Sequence, residues 1–333
     1  MKAIYFEKSG SSDVLQYGDI DAPTQCDDKQ VLVRTKAAGI NPIDCKIRAA
    51  PDRFPVSFPI IPGCDGAGIV EAVGKAVQTF KPGDEVYFSQ PGFNQRQGTY
   101  ADYVLVDASL LAKKPQALSF EQAAAAPLVL ITAWEALHDR ARISSGQTVL
   151  IHAGVGGVGH VAIQLAKLAG AKVITTVSNV EKSAFAKQLG ADETILYKSQ
   201  HVVDEVMSWT GGKGVDIAFD TVGPCVLQNC FNSVKNYGDV VTILQPAADT
   251  NWSDARVRNI RFGFELMLTP VILEIDSAKH HQGEILTRCA ALIDDGKLKI
   301  EVARTFDLAE AAAAQDFLEQ QHPAGKVVLN MGQ

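Results

Sequence analysis

The sequence predicts an α/β fold in which a mainly β part precedes a doubly wound parallel sheet. Up to about residue 115, short apolar runs are separated by turns, which indicates irregular, mainly β structure. From about residue 119, apolar strand-like runs alternate with helical runs, a pattern typical of a parallel sheet covered by helices. At 333 residues the chain exceeds the length at which one hydrophobic core usually stops growing, so we expect two domains.

The composition indicates a chain that binds neither nucleic acid nor a membrane. The formal net charge is −7, and the lysines and arginines are scattered without a basic run. The first ten residues lack the apolar stretch of a signal peptide, and no window approaches the ~20 apolar residues of a membrane span. We therefore expect a soluble cytoplasmic protein, in which the six cysteines are reduced and mostly structural because none forms a CxxC pair.

Strands are predicted first in the N-terminal part, where Val31 and Val33 alternate with polar residues. Pro82 and Gly83 suit the central positions of a type II turn, because proline presets φ and glycine accepts a positive φ. The runs that predict these strands are QVLVRTKAAG, GAGIVEAVG, FKPGDEVYF and TYADYVLV.

Helices enter near residue 119. Ser119 and Gln122 have the spacing of a capping box before an alanine-rich run, and Pro127 is expected to break or kink the helix that follows. The strand-like runs that alternate with helical segments afterwards are TVLIHA, KVITTV, ETILY, VDIAFDT, DVVTIL and IRFGFEL. Beyond them, two helical stretches and a final strand, GKVVLNM, have no clear place by pattern alone.

A glycine-rich turn lies between the first parallel strand and the next helix. Gly154, Gly156 and Gly159 form GxGxxG in the context that a dinucleotide site requires. We expect the three glycines to permit the tight turn, the approach of a pyrophosphate and close helix packing, in that order. Glycines that only join strand to helix, or the turn of a methyltransferase, are the alternatives.

The end of the second strand decides which nucleotide is expected. A site for NAD usually places Asp or Glu about 20 residues after the glycines to hold the ribose hydroxyls, whereas here that end carries Ser178. A hydroxyl there, the ammonium of Lys182 and the phenol of Tyr197 predict a pocket for a 2'-phosphate, and therefore NADPH. A surface lysine and a packed tyrosine are the alternative interpretation.

Three motifs in this order resemble one family. AAGINPID at residues 37–44, PGCDGAG at 62–68 and AGVGGVG at 153–159 are similar to the zinc-independent quinone oxidoreductase branch of the medium-chain dehydrogenase/reductase superfamily. The resemblance continues through GTYADYVLV, AAAAPLVLITAWEAL and the terminal GKVVL, and so spans nearly the whole chain.

The resemblance implies a domain organisation and an activity. It implies a GroES-like, partly barrelled substrate domain at residues 1–118 with a C-terminal return at 268–333, and a Rossmann NADPH-binding domain at 119–267. The nicotinamide and a small-molecule substrate, a quinone or a conjugated enone or enal, would occupy the cleft between them. It also implies a homodimer, for which the apolar run near Arg261 to Leu268 is the candidate edge.

Residue roles follow from the matching motifs. Asn41 resembles the asparagine beside the nicotinamide and is the predicted catalytic residue, with capping of the turn before Pro42 as the alternative. The predicted cofactor-binding residues are Asn41, Thr132, Gly154, Val155, Gly156, Gly157, Val158, Gly159, Ser178, Lys182, Tyr197, Thr221, Val222, Gly223, Leu244 and Gln245. The tyrosine that many relatives carry shortly after the Asn-Pro motif is missing from residues 45–58, so the predicted substrate contacts are Arg48, Arg53 or Phe54.

No metal is expected. Zinc-dependent relatives place a cysteine near Asn41 and a histidine near Cys64, and Cys64 with Asp65 or Asp44 does not complete the three protein ligands of a catalytic site. Without a Lewis acid, a conjugated acceptor is the favoured substrate, because it spreads the charge of the added hydride. The chain has neither a YxxxK pair nor a GxSxG elbow. Two alternatives remain open: a non-catalytic NADPH-binding or redox-sensing protein, and a zinc-type alcohol dehydrogenase.

Overall fold

A computed structural model describes residues 1–24 and 26–332 and divides the chain into two compact units. The first unit comprises Met1–Leu128 and the segment from Leu268 to the C-terminal end, and the second comprises Val129–Met267. Residues 119–128, which the sequence analysis assigned to the second domain, thus lie in the first unit. The physical reason is a close approach of backbones: a Cβ added at Gly39 would lie 2.3 Å from the carbonyl oxygen of Ala124.

The elements follow one another in three stretches of chain. The first stretch contains β1 (Lys2–Tyr5), β2 (Gln16–Asp19), β3 (Gln30–Ile40), α1 (Pro42–Ala49), β4 (Asp65–Val73), β5 (Glu85–Ser89), β6 (Tyr103–Asp107), β7 (Leu111–Lys113) and α2 (Phe120–Ala124). The second contains α3 (Pro127–Trp134), a π-helical turn (Glu135–Arg140), β8 (Thr148–Ile151), α4 (Gly157–Leu168), β9 (Lys172–Val177), α5 (Val180–Gln188), β10 (Glu193–Leu196), α6 (Val202–Trp209), β11 (Val215–Asp220), α7 (Pro224–Ser233), β12 (Val234–Thr242), α8 (Ser253–Val257) and β13 (Arg261–Phe264). The third contains α9 (Thr269–Ile272), α10 (Asp276–Asp294), β14 (Val302–Asp307), α11 (Ala311–Gln321) and β15 (Lys326–Asn330).

The first unit is organised around β3, which is 11 residues long. Its sheet has the order β14-β15-β3-β4-β5-β7, and β6 also pairs with β3. The start of β3 pairs with β6 and its end pairs with β15, so one long strand joins two sets of neighbours and supports a partly barrelled sheet. The four strands predicted in the N-terminal part are confirmed as β3, β4, β5 and β6. The C-terminal strand β15 places residues from the far end of the chain beside β3.

The second unit is a doubly wound parallel sheet, as predicted. Its strand order is β10-β9-β8-β11-β12-β13, and each neighbouring pair is parallel. In order of appearance this is 3-2-1-4-5-6, the Rossmann order, in which the direction of winding reverses between β8 and β11. Loops at the carboxyl ends of these two strands are therefore the expected ligand-binding loops of this unit.

Local signals at the helix ends are confirmed. The backbone N–H of Gln122 donates to Ser119 Oγ at 3.3 Å, and that of Ser119 donates to Gln122 Oε1 at 3.2 Å, which completes the capping box. Pro127 begins α3 instead of kinking a longer helix. Among the described residues, no helix combines the length and the apolar character that a bilayer span requires.

Candidate functional site

Two of the three glycines in the turn after β8 are required by the packing of the protein itself. A Cβ at Gly154 would lie 2.0 Å from Thr175 Oγ1 on β9, and one at Gly159 would lie 2.2 Å from the carbonyl oxygen of Ala153. Real Cβ atoms do not approach other atoms so closely, so an alanine at either position would displace a strand or the turn. These glycines fix the distance between α4 and the sheet.

Gly156 differs from both, because packing does not explain it. A Cβ there would meet only Ala153, at 3.2 Å from its oxygen and 4.0 Å from its Cβ, and no other described residue within 4 Å. Gly156 is the N-cap of α4, where unpaired backbone N–H groups and the helix dipole favour an anion. The open side of the turn therefore suits the close approach of a phosphate.

The residues predicted to select the nucleotide follow the carboxyl ends of β9 and β10, two neighbouring strands of the second sheet. Ser178 directly follows β9, and Tyr197 directly follows the neighbouring parallel strand β10. The backbone N–H of Tyr197 donates to the carbonyl of Val177 at 3.3 Å, which fixes this residue beside the end of β9. Lys182 lies in the first turn of α5, and its N–H donates to the capping oxygen of Asn179 at 2.8 Å. Tyr197 is 50% exposed.

The loop after β11 is held by a buried carboxylate that the sequence analysis missed. Asp220 Oδ1 accepts the backbone N–H groups of Val222 at 2.9 Å and Gly223 at 2.8 Å, and its Oδ2 accepts the hydroxyl of Thr242 at 2.9 Å. Burial raises the pKa of Asp220, and these donors oppose that rise. Thr221 donates its hydroxyl at 2.6 Å to the backbone carbonyl of His152, which directly follows β8. The loop is thus tied to both strands at the reversal point of the sheet.

Three further predicted cofactor contacts are Leu244, Gln245 and Thr132. β12 ends at Thr242, so Leu244 and Gln245 belong to the loop that follows it. The side chain of Leu244 lies against Gly223, where a Cβ would be 2.9 Å from Leu244 Cδ1. Thr132 is buried on α3, with 4% of its surface exposed.

Asn41, the predicted catalytic residue, is the N-cap of α1 in the first unit and is 1% exposed. Its side-chain Nδ2 donates to Asp65 Oδ2 at 2.9 Å, and its Oδ1 accepts a hydrogen bond from Lys326 Nζ. Its backbone N–H donates to Asp44 Oδ2, also at 2.9 Å. Both the nitrogen and the oxygen of the Asn41 carboxamide are therefore hydrogen-bonded.

The residues around Asn41 form a buried polar cluster, which we define as Asn41, Asp44, Asp65, Tyr100 and Lys326. Lys326 Nζ lies 3.9 Å from Asp65 Oδ2, and Tyr100 donates its hydroxyl to Asp44 Oδ2 at 2.9 Å. Desolvation raises the pKa of both Asp44 and Asp65 to about 6, and it lowers the pKa of Lys326. Two carboxylates thus share one buried ammonium group.

Sequence reasoning missed Lys326, although a signal was present. A charged residue opens the final strand and precedes three apolar residues, and β15 pairs with β3 so that Val327 lies opposite Ile40. That register brings Lys326 next to the residue that follows β3. Only the pairing of β15 with β3 reveals the contact between Lys326 and Asn41, because these residues are 285 positions apart in the sequence.

The donor atoms around Cys64 do not fit a zinc ion. Burial and the neighbouring Asp44 and Asp65 raise the pKa of the Cys64 thiol well above its usual range, so the thiolate that zinc needs is disfavoured. Both ends of the Asn41 carboxamide are occupied. In the described part of the chain, no group of three or more His, Cys, Asp or Glu side chains is arranged to hold a metal ion.

The three predicted substrate contacts are not brought together. Arg48 is 4% exposed, and its guanidinium donates to Gly10 O at 3.2 Å, to Glu319 Oε2 at 3.0 Å and to Gln315 Oε1. These bonds direct Arg48 towards α11, and they account for it as a packing residue. Arg53 is exposed, and Phe54 stacks on the ring of Phe93 with centroids 6.0 Å apart.

A cavity of about 120 Å³ lies in the first unit close to this segment. Arg96 on its wall is held by Glu274, whose two carboxylate oxygens accept guanidinium N–H groups at 2.8 and 3.0 Å. The lining residues are Ser57, Pro59, Ile60, Ile61, Gly92, Gln95, Arg96 and Gln97. The wall therefore combines apolar side chains with a fixed cation.

Two family models match separate parts of the chain. A family model described as an alcohol dehydrogenase GroES-like domain matches residues 27–116, and one described as a zinc-binding dehydrogenase matches residues 189–329. The first match confirms the GroES-like character predicted for the N-terminal part.

Individual relatives and solved structures match over similar lengths. A chloroplastic NADPH-dependent alkenal/one oxidoreductase from Arabidopsis thaliana is 32% identical over 99% of this chain and 79% of its own length. A quinone oxidoreductase from Pseudomonas aeruginosa is 32% identical over 98% of this chain and 99% of its own. The crystal structure of Escherichia coli quinone oxidoreductase complexed with NADPH matches with a TM-score of 0.89 at 30% identity, over 99% of this chain and 100% of its own.

Proposed function

Because this chain belongs to the quinone oxidoreductase-like branch of the medium-chain dehydrogenase/reductase superfamily, we propose that it is a zinc-independent, NADPH-dependent reductase. Its proposed substrates are quinones and conjugated enones or enals. The observation that carries the proposal is the glycine turn, where Gly156 leaves an open face at a helix N-terminus although the packing of the chain does not require a glycine there. The names of the relatives in Arabidopsis and Pseudomonas support the same chemistry.

The fit of NADPH rests on the N-terminus of α4 and on the carboxyl ends of β9 and β10. The backbone N–H groups at Gly156 and Gly157 would hold the pyrophosphate, while Ser178, Lys182 and Tyr197 would hold the 2'-phosphate. Bound NADPH supplies the hydride. The loop residues fixed by Asp220, together with Thr132, Leu244 and Gln245, stay predicted contacts of the cofactor.

The proposed substrate class follows from the kind of donor that we assign to the reaction, the neutral amide of Asn41. Reduction of an ordinary ketone produces a strongly basic alkoxide, which needs a Lewis acid or a placed proton donor. A quinone or an enone spreads the added charge, so a neutral hydrogen-bond donor and solvent are sufficient. In this proposal, Asn41 supplies that donor through Nδ2, and water completes protonation.

A panel of acceptors tests this function directly. We expect wild-type protein to oxidise NADPH with quinones, enals and enones, to reduce saturated ketones poorly, and to keep its activity after dialysis against a chelator. Metal analysis of the same preparation is the control. Activity that the chelator abolishes and zinc restores would favour the zinc-type alcohol dehydrogenase, whereas NADPH binding without turnover would favour a redox-sensing role.

Cofactor selection is tested at Lys182. Loss of its ammonium group is expected to weaken NADPH binding by about 1.5 to 3 kcal/mol, the range of a charge-assisted hydrogen bond, or roughly 10- to 150-fold. NADH binding should change little, because it carries no 2'-phosphate. Fluorescence titrations of both cofactors into Lys182→Ala measure this. Lys187→Ala, on the exposed side of the same helix, is the matched control, and equal wild-type affinities for NADPH and NADH would contradict the assignment.

We also propose a homodimer that pairs through β13, the last strand of the second sheet. The edge carries exposed apolar side chains, with Phe264 56% and Leu266 50% exposed. An unpaired strand edge with apolar side chains favours pairing with a symmetry-related copy. Sedimentation at micromolar concentration is expected to show a dimer that Phe264→Glu weakens, whereas Leu168→Glu, an exposed position on α4, does not. A monomeric wild-type protein would refute the proposal.

A further inference from the structure

The buried cluster around Asn41 is more elaborate than a single hydrogen-bond donor requires. We propose that Lys326 and Asp65 are positioning residues, which hold the Asn41 carboxamide in one orientation for hydride transfer. The inference rests on the function proposed above, since it assigns roles around the residue that is expected to face the reaction.

The chemistry of the two partners fixes the orientation of the amide. An ammonium group only donates hydrogen bonds, so the atom of Asn41 that meets Lys326 must be the oxygen. An ionised carboxylate only accepts, so the atom that meets Asp65 must be the nitrogen. A rotation of the amide by 180° would set donor against donor and acceptor against acceptor. Asn41 therefore has one orientation in which both neighbours are satisfied.

This orientation assigns the two hydrogens of Asn41 Nδ2. One is donated to Asp65 Oδ2 at 2.9 Å. The second is the donor that we assign to the cofactor or to the substrate oxygen, and its direction is set because the first is bound. A donor fixed before the reaction does not have to reorient as charge develops, which is the basis of electrostatic stabilisation in enzyme sites.

The sheet of the first unit explains how the two charged groups come to flank Asn41. Asp65 begins β4 and pairs with Gly39, whereas Lys326 begins β15 on the other side of β3. Both neighbours of β3 thus contribute a charged side chain to the residue that follows it. Lys326 Nζ also donates to the carbonyl of Ile40 at 2.9 Å, and Asp65 Oδ1 accepts the N–H of Leu128 at 2.9 Å. These additional bonds anchor each partner independently of Asn41.

Stability alone does not account for the buried lysine. Lys326 is 3% exposed and Asp65 is fully buried, and the desolvation of such a pair usually offsets its Coulomb attraction. Apolar residues of similar volume in place of Lys326 and Asp65 would stabilise the fold at least as well. A geometric role for the charges explains why the site contains them.

The test compares Lys326→Met with Lys279→Met. Lys279 is likewise buried, at 2% exposed, but pairs with Glu274 and does not contact Asn41. We expect Lys326→Met to lower kcat by roughly 10- to 100-fold, the effect of a displaced catalytic group, with KM for NADPH within about threefold. In an Asn41→Ala background, Lys326→Met should cost nothing further in kcat. Lys279→Met should lower the melting temperature while leaving kcat unchanged in both backgrounds.

A measurement without cofactor separates this inference from the proposed function. Selective ¹⁵N labelling of asparagine, with Asn41→Ala for assignment, gives the hydrogen-exchange rates of the Asn41 side-chain amide at pH 8. Lys326→Met is expected to raise the rate at least about tenfold, because the amide is released from one partner. Asp65→Asn, which keeps the volume and removes the charge, should act in the same direction and serves if Lys326→Met does not fold.

Each outcome has a distinct meaning. If wild-type protein reduces none of the acceptors while Lys326→Met still accelerates exchange, the proposed function fails and the positioning of Asn41 holds. If exchange is unchanged in both cluster variants, or if Lys326→Met lowers kcat equally with and without Asn41, the inference is overturned.

Discussion

Gly159→Ala is expected to destabilise the second unit by about 3 kcal/mol or more, whereas Gly156→Ala should leave its stability within about 1 kcal/mol. The added methyl group at Gly159 would lie 2.2 Å from the carbonyl of Ala153 and 2.8 Å from Gly154 Cα, both backbone atoms that cannot turn aside. At Gly156 the same methyl group meets only Ala153, at 3.2 Å, and φ is −72°, which alanine adopts without strain.

Binding is expected to show the opposite order. In Gly156→Ala the methyl group occupies the open face that we assign to the pyrophosphate, so NADPH affinity should fall by at least about tenfold, a loss of about 1.4 kcal/mol. Chemical denaturation and NADPH titration of the folded variants measure the two effects separately. Gly154→Ala, with a contact of 2.0 Å to Thr175 Oγ1, is a second steric control. A Gly156→Ala protein that binds NADPH like the wild type would remove the turn from the proposed site.

The fold was predictable from the sequence wherever the signal is local. The parallel strands are four to nine residues long and contain short apolar runs, and the glycine turn directly follows one of them. Capping at Ser119 depends on a spacing of three residues. In contrast, the sequence prediction of the domain boundary was displaced by ten residues, because the helix after Ser119 packs closely on β3 at Gly39. The composition of α2 alone does not predict that this helix packs against β3.

The site was only partly predictable for the same reason. Ser178 and Tyr197 could be placed because both directly follow strands, and neighbouring parallel strands end at one edge. Arg48, a predicted substrate contact, is bound by side chains of α11 that local sequence does not reveal, because Gln315 and Glu319 lie 267 and 271 positions away. Lys326 was missed because its bond to Asn41 depends on the register of the last strand. Contacts of this kind follow from the tertiary fold and have no periodic signature.

Asn41→Ala is expected to lower kcat for conjugated acceptors by roughly 10- to 1000-fold, the upper end being the effect of losing one oxyanion donor. The substitution removes the Nδ2 donor and leaves Lys326 and Asp65 each with one partner fewer, although the carbonyl of Ile40 and the N–H of Leu128 still bind them. We therefore expect a stability loss of about 1 to 3 kcal/mol, the cost of unsatisfied buried groups, in a protein that still folds.

Steady-state kinetics well below the melting temperature separate the chemical effect of Asn41→Ala from the stability effect. Because the lost interaction strengthens as charge develops on the substrate oxygen, kcat and kcat/KM should fall together, while the NADPH dissociation constant changes less. Asn330→Ala is the matched control, since Asn330 donates to Glu121 at 3.2 Å in the same unit and is not part of the cluster. A kcat for Asn41→Ala within twofold of the wild type, in a protein whose folding is verified, would show that the carboxamide does not act on the reaction. The buried charges around it would then be a purely structural feature of the first unit.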